Sequence, residues 1–377
     1  MRRPLSERVV TPVHAVRAVR AVRAVRAVRA VRAVLVLLVL GLAACGRPDR
    51  SQSAEPRQAL TGAGATFPYP LYSRWTSSYL QQADVRINYL SVGSAEGIRL
   101  LTAGTIDFAG SDLPLSTGAL DSLGCGGAIQ VPTVAGAVAI AYHIPGVDTL
   151  ITLDRESLAG IFSGRIVRWD APEITRQNPT FTFPPLRIRV VHRSSGSGTS
   201  AAFAAYLRGT RSWHPRSDDE LWPVGIAEEG NEGVAARVRQ TRGAIGYMEI
   251  AYARQNLLRT ARIADAGGQP VAPSVAGVRK ALGSVAASHL EQADAVVNSP
   301  VVGAYPIVAV SWFVVPKRIA DPARRDRAVA FLHWALTAGT GDAGALEYVP
   351  LPRETITHYD SLVGTIASGT CPKAPSP

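Results

Sequence analysis

The chain is poor in the residues that most often bind metals. Its 377 residues include three cysteines and seven histidines. The histidines are scattered, and no His/Cys/Asp cluster has the spacing of a metal site. The sequence therefore predicts neither a metal centre nor a cofactor.

Acidic residues are also scarce, with 29 Asp and Glu against 40 Lys and Arg and a net charge of +11. This excess looks like the signature of a nucleic-acid-binding protein, but residues 1–44 alone contain nine arginines and one acid, which is +8. Subtracting that +8 leaves +3 for residues 45–377. So mild an excess gives no reason to expect a nucleic-acid partner.

Long apolar runs are missing as well. The twelve residues 33–44 form an apolar run that is too short to cross a bilayer and typical of a signal peptide. The run ends in Leu42-Ala43-Ala44-Cys45-Gly46, which resembles a bacterial lipobox. We therefore expect a lipoprotein signal peptide at 1–44, lipidation of Cys45 and a flexible polar tether at 45–57. The alternative is an ordinary export signal followed by an incidental cysteine.

Two cysteines remain after Cys45, and export would place them in a compartment where disulfides persist. Two is the minimum for one bridge. We predict a disulfide between Cys125 and Cys371.

From residue 60 onward, strand-like and helix-like patterns alternate, which is typical of an α/β protein with mostly parallel sheets and right-handed crossovers. The pattern predicts strands at 85–90, 106–110, 135–144, 186–192, 243–247 and 308–315. It predicts helices at 94–103, 153–164, 201–207, 230–240 and 322–336, with caps at Ser94, Asp154 and Asp321.

Four segments rich in small and hydroxyl residues follow or join these elements, at 61–68, 92–97, 109–115 and 193–200. Each alone reads as a turn or a helix cap, but four at strand-to-helix junctions indicate a ligand site, because such junctions expose backbone N–H groups. Arg193 adds a fixed charge, and Ser197, Thr199 and Ser200 add hydroxyl donors. The glycine spacing fits neither a dinucleotide fingerprint nor a Walker loop.

These four segments resemble, in order and spacing, the ligand loops of the phosphate-binding proteins of bacterial phosphate ABC transporters. Residues 162–170, 230–235 and 243–247 also match, and the resemblance covers about 60–355. It implies a two-domain periplasmic-binding-protein fold with a ligand cleft between the domains. The implied domains are 58–134 plus 304–377 (domain I) and 135–303 (domain II), with crossovers near 132–134 and 304–306.

The resemblance also implies a set of phosphate-binding residues: Thr66, Phe67, Ser94, Asp112, Arg193, Ser197, Gly198 and Thr199. In this set Phe67 acts through its backbone N–H, and Asp112 accepts a hydrogen bond from the ligand. One position departs from the best-known members, which have an acid where this chain has Ser195. We expect that change to affect affinity or salt dependence rather than the identity of the ligand.

The chemistry of Asp112 is consistent with phosphate. An ionised carboxylate only accepts hydrogen bonds, so it repels an anion that has no proton to donate. Phosphate keeps a proton near neutral pH and sulfate does not. A carboxylate among N–H and O–H donors therefore selects phosphate by penalising sulfate.

The resulting expectation is an exported, lipid-anchored receptor that is monomeric and not an enzyme. It binds inorganic phosphate and delivers it to the permease subunits of an ABC transporter, in the periplasm or at the outer face of the cytoplasmic membrane. Two alternatives stay open: a receptor for sulfate or molybdate, and a phosphate-ester hydrolase with Ser197 as nucleophile and His192 nearby.

Overall fold

The computed structural model describes residues 59–369, apart from 125, 195, 216, 218–220, 287–288 and 293–294. Outside the described residues lie the predicted signal peptide (1–44), the tether (45–57), Cys45, Cys125, Cys371 and Ser195. In the part that is described, no helix combines the length and the apolar character that a membrane crossing requires.

Strands account for much of the buried interior. In chain order they are β1 (Ala59–Gly64), β2 (Arg86–Ser91), β3 (Phe108–Ser111), β4 (Ala128–His143), β5 (Thr152–Leu153), β6 (Arg189–Arg193), β7 (Ile226–Glu228), β8 (Ala244–Glu249), β9 (Arg259–Thr260), β10 (Arg262–Ala264), β11 (Pro270–Val271), β12 (Val308–Pro316), β13 (Arg318–Ile319), β14 (Val349–Pro350) and β15 (Ala367–Ser368).

Helices alternate with these strands. They are α1 (Tyr69–Ala83), α2 (Ser94–Thr102), α3 (Thr117–Ser122), α4 (Arg155–Phe162), α5 (Pro172–Thr175), α6 (Gly198–Leu207), α7 (Gly230–Gln240), α8 (Ile250–Gln255), α9 (Val275–Leu282), α10 (Pro322–Leu336) and α11 (Arg353–Val363). Two short 3₁₀ helices, Ala338–Asp342 and Gly344–Leu346, follow α10.

One large sheet organises the molecule, in the order β2-β1-β3-β12-β4-β8-β6-β7, with β9 and β14 also paired to β4. β1 is parallel to β2 and β3, and β6 is parallel to β7 and β8. The central strands differ, because β12 runs antiparallel to β3 and β4, and β4 runs antiparallel to β8. The α/β class is confirmed, but the expectation of mostly parallel sheets is wrong at the centre.

The antiparallel centre arises from one long strand that serves both halves of the sheet. β4 has sixteen residues, pairing with β12 over 128–137 and with β8 over 138–143. Nearly every residue of β4 is buried, which is what its continuous apolar run indicates for a strand covered on both faces. The strand therefore ties the two halves of the sheet together through the middle of the core.

Helix boundaries follow local capping chemistry. Asp154 caps α4 by accepting a hydrogen bond from the Ser157 N–H, and Asp321 caps α10, as predicted. The predicted cap at Ser94 is wrong, because Gly93 is the N-cap of α2 and Ser94 is its first residue. Gly93 has φ +94°, where a side chain would be strained. Because Ser94 is not the N-cap, its hydroxyl is free to accept from the Asp112 N–H just after the end of β3.

Candidate functional site

The predicted site segments meet because of sheet geometry. The parallel strands β1, β2 and β3 end at Gly64, Ser91 and Ser111, so their carboxyl ends share one edge of the sheet. Ligands of open α/β sheets bind at that edge. β6 ends at Arg193 in the other half of the sheet and presents its own following loop to the same site. Backbone bonds join the two sides, as where the Ala95 N–H donates to the Gly196 carbonyl at 3.1 Å.

Four helices begin around this site: α1, α2, α6 and α7. At or just before their first turns lie six of the eight predicted residues, namely Thr66, Phe67, Ser94, Ser197, Gly198 and Thr199. One further residue, Asn231, lies in the first turn of α7. Helix N-termini present N–H groups and the positive end of the helix dipole. The site is therefore built to stabilise negative charge.

Thr66 is the most heavily bonded of the predicted residues. Its Oγ1 accepts from Arg193 Nη1 at 3.1 Å, from Asn231 Nδ2 at 2.8 Å and from the Asn231 N–H at 3.2 Å. A hydroxyl has two acceptor lone pairs and one proton. Because these donors saturate the lone pairs, the Thr66 proton points away from them and is available to donate to a ligand.

Arg193 brings the positive charge. Its side chain is 5% exposed, and burial lowers the pKa of the guanidinium. Nη1 bonds Thr66, while Nε is buried with no hydrogen-bond partner among the described residues. A buried donor without a partner is costly. This group is therefore prepared to bind an anion rather than to stabilise the protein.

Asp112 faces these donors as a carboxylate. Its Oδ1 accepts from the Ser311 hydroxyl at 2.8 Å, and its backbone N–H donates to Ser94 Oγ at 3.2 Å. Burial raises the pKa of Asp112 from 3.8 to about 7, against the opposing effects of the Ser311 hydroxyl and the Arg193 charge. Asp112 therefore exchanges a proton near neutrality, as phosphate does.

Ser311 lies beside Asp112 because β12 pairs antiparallel with β3, with Trp312 opposite Ser111. A bulge in the neighbouring strand β4 lies next to this contact. The pairing of β12 with β4 shifts register between Ser311 and Trp312, and Thr133 on the opposite strand is the extra residue. The Thr133 hydroxyl donates to the Ser311 carbonyl at 2.9 Å. Such bulges redirect side chains next to functional sites. Neither Ser311 nor the bulge has a signature in the local sequence.

A buried shell of tyrosines and one carboxyl supports the Thr66–Phe67 segment. The Tyr252 hydroxyl donates to the Thr66 carbonyl at 2.6 Å. The Tyr348 hydroxyl lies 2.7 Å from the Phe67 carbonyl and 3.1 Å from Glu249 Oε2. Tyr348 has one proton, which it donates between these two acceptor oxygens. Burial raises the pKa of Glu249 well above its usual range.

Ser197 and His192 do not form the nucleophile–base pair that the hydrolase alternative requires. Ser197 Oγ accepts from the Ser200 N–H and so caps α6. His192 Nδ1 lies 2.9 Å from the Arg193 carbonyl, and it bonds that backbone group rather than Ser197. Among the described residues, no group of three or more His, Cys, Asp or Glu side chains is placed to hold a metal.

A cleft of about 1010 Å³ opens beside the site. Ser94, Arg193 and Ser197 line it, together with apolar groups such as Ile98 and Trp222. The buried donors of the site thus border a cavity large enough to contain a small ion.

Gly198, at the start of α6, packs directly against Asp112 just after the end of β3. A Cβ added there would lie 2.5 Å from the Asp112 Cβ and 2.9 Å from its backbone carbon. We expect Gly198→Ala to weaken ligand binding about tenfold to a hundredfold, because such overpacking costs about 1–3 kcal/mol. Gly118→Ala, where a Cβ has nothing within 4 Å, is the control. Equal affinity of the two variants in a calorimetric titration would contradict this prediction.

Comparisons with known proteins agree with this arrangement. A family model described as a PBP superfamily domain matches residues 50–338. The phosphate-binding protein PstS of Xylella fastidiosa strain Temecula1 is 36% identical over 308 residues, which cover 80% of this chain and 84% of that protein. The PstS protein of Haemophilus influenzae is 35% identical over 310 residues, which cover 80% and 92%.

The solved structures include a high-affinity periplasmic phosphate-binding protein, PfluDING, determined with bound phosphate. It superposes with a TM-score of 0.66 at 25% identity, covering 81% of this chain and 93% of that one. The fold is therefore that of a two-domain periplasmic binding protein, and the class is a binding receptor rather than an enzyme. The chain belongs to the PBP superfamily and, within it, to the family of the PstS phosphate-binding proteins.

Proposed function

We propose that this protein is the receptor that binds inorganic phosphate for an ABC importer. The observation that carries the proposal is Asp112, a buried carboxyl set among hydroxyl, guanidinium and helix N-terminal donors. The binding set is Thr66, Phe67, Ser94, Asp112, Arg193, Ser197, Gly198 and Thr199.

The donors and the single acceptor have separate roles in this proposal. The threonine and serine hydroxyls, the helix N-terminal N–H groups and Arg193 neutralise the anion. Asp112 accepts a hydrogen bond from the proton that phosphate retains near neutral pH. Sulfate has no such proton, so its oxygen would face a carboxylate oxygen in a buried site, at a cost of several kcal/mol.

The decisive experiment is calorimetric titration of residues 46–377, freed of bound anion, with phosphate and then sulfate at one pH and ionic strength. We expect tight phosphate binding and no heat from sulfate. Comparable binding of both anions would replace the proposal with a general oxyanion receptor, the main alternative. Absence of binding to either anion would overturn it.

The cellular setting is part of the same proposal. The lipobox-like segment supports export and a lipid anchor at Cys45, in the periplasm or at the outer face of the cytoplasmic membrane. The polar tether at 45–57 would let a monomeric receptor reach permease subunits while the anchor keeps its local concentration high. We also propose the disulfide between Cys125 and Cys371, which would lie within domain I.

The domain division remains part of the proposal: 58–134 plus 304–377 as domain I and 135–303 as domain II. It is supported by the way β4 pairs with β12 in one half of the sheet and with β8 in the other. Arg193 and Asn231 of the proposed domain II contact Thr66 of the proposed domain I, as closure of the two domains around a ligand requires.

A further inference from the structure

Asn231 lies at the centre of the site, although the resemblance gives it no role. It is the second residue of α7 and is completely buried. Its Nδ2 lies 2.8 Å from Thr66 Oγ1 and 3.4 Å from Thr199 Oγ1. One amide group therefore contacts a threonine hydroxyl on each side of the proposed phosphate site.

The orientation of this amide is fixed by its other end. Asn231 Oδ1 accepts from the Glu249 backbone N–H at 2.9 Å. An N–H group requires an acceptor, so the oxygen must face Glu249 and the NH₂ must face the threonines. The amide then has two protons to donate, one for each hydroxyl.

The backbone of Glu249 is itself held in place. Its side-chain Oε2 accepts from the Ala251 N–H at 2.7 Å, which caps α8, and bonds the Tyr348 hydroxyl at 3.1 Å. Tyr348 in turn bonds the Phe67 carbonyl. The Glu249 N–H is therefore a rigid reference point for Asn231.

We propose that Asn231, held in one orientation by the Glu249 N–H, is a positioning residue that directs the hydroxyl protons of Thr66 and Thr199 toward the anion. By donating to both hydroxyl oxygens, it occupies an acceptor position on each threonine and leaves the hydroxyl protons to be donated to the ligand. The inference rests on the proposed binding of phosphate, and it adds a residue that sets affinity without being one of the eight proposed ligands.

Asn231→Asp tests this directly, because the change is nearly isosteric but removes both donor protons. At about pH 8 the introduced carboxylate accepts the threonine protons and repels the anion. We expect phosphate affinity at least about a hundredfold below wild type, from lost charge-assisted bonds and like-charge repulsion. Because position 231 is completely buried, the pKa of the introduced carboxyl is raised above the usual value of about 3.9. More of the variant therefore carries an O–H to donate at about pH 5, so the deficit relative to wild type narrows.

The ratio to wild type at each pH removes the titrations that both proteins share. The titratable and charged groups that surround Asn231 are Asp112, Arg193, Glu232, Glu249 and Tyr252. Asn231→Ala removes the donors without adding a charge, so its deficit of about tenfold stays the same at both pH values. Asn178→Asp is the matched control, because that buried amide bonds the backbone of Thr152 and Ile174 instead.

The outcomes separate the two proposals. If the wild type does not bind phosphate, the proposed function fails. If the wild type binds and the Asn231 variants bind equally well, the positioning role is overturned. It is also overturned if the Asp and Ala variants lose the same affinity with no recovery at acidic pH, since that indicates a purely structural role. Should the Asp variant fail to fold, undiminished affinity in the Ala variant overturns the inference.

Discussion

Arg193→Met is expected to weaken phosphate binding at least about a hundredfold. The guanidinium is 5% exposed and is the cation closest to Thr66, so its loss leaves a buried anion without its countercharge. Removing one partner of a buried ion pair costs about 3–5 kcal/mol. Arg193→Lys restores the charge without the planar fork, so its affinity should fall between those of the Met variant and the wild type.

Arg193→Met should not lower the stability of the protein in the absence of ligand. Burial lowers the pKa of Arg193, which means that the protein environment disfavours its charge. We therefore expect the unfolding temperature of the anion-free Met variant to equal or exceed that of the wild type. Arg189→Met, an exposed position of the same strand, is the control and should leave phosphate affinity unchanged. Wild-type affinity in Arg193→Met would remove Arg193 from the site.

Asp112→Asn is expected to change selectivity more than affinity. An asparagine can still accept from Ser311, but it can also donate to an unprotonated oxyanion. Sulfate affinity should then rise about tenfold to a hundredfold, the value of a charge-assisted bond gained, while phosphate affinity falls less. Asp121→Asn, an exposed carboxylate that pairs with Lys317, is the control. A phosphate-to-sulfate ratio equal to that of the wild type would contradict the role of Asp112.

The pKa of Asp112 makes this selectivity depend on pH. Because this pKa is about 7, the carboxyl is mostly ionised in alkaline solution and mostly protonated in acid. A protonated Asp112 can donate, so wild-type sulfate affinity should increase as the pH falls through about 7. In Asp112→Asn this change should be absent. Calorimetric titrations with sulfate between about pH 5 and 8 measure both curves.

The raised pKa of Asp112 also makes the stability of the ligand-free protein depend on pH. The folded-state pKa of Asp112 lies above its ordinary value of 3.8, so the folded state favours the protonated form. The stability contributed by neutral Asp112 is complete below 3.8 and is lost as the pH rises through about 7. Asp112→Asn should therefore unfold at a higher temperature than wild type at alkaline pH, with the difference vanishing toward about pH 4. A carboxyl that destabilises the protein without ligand is the mark of a group kept for binding.

Part of the site follows from local sequence. Thr66, Ser94, Asp112 and Arg193 each stand where a strand gives way to a turn or helix, and the parallel pairing of β1, β2 and β3 brings three of those junctions together. Asn231 has the same signal, a polar residue after glycine at a helix start that follows short β7. The junction between β7 and α7 therefore has the same sequence pattern as the four segments that predicted the site.

The supporting residues have no such signal. Glu249, Tyr252, Ser311 and Tyr348 occur in apolar or helical stretches that read as ordinary core. Their partners are far away in sequence, as with Tyr348 and Phe67, 281 positions apart, and Ser311 and Asp112, 199 apart. Contacts at that separation depend on topology, which periodicity does not encode.

The sequence by itself determined the α/β class, the buried central strands, the approximate bounds of five helices (α2, α4, α6, α7 and α10) and the strand-end segments that form the site. These depend on hydrophobic period, capping chemistry and glycine, all of which act over a few residues. Only the tertiary structure decided that the central strands are antiparallel, that the pairing of β12 with β3 places Ser311 beside Asp112, and that Asn231 bonds two threonines at once. Those features depend on which distant segments share a buried volume, and burial also sets the pKa of Asp112.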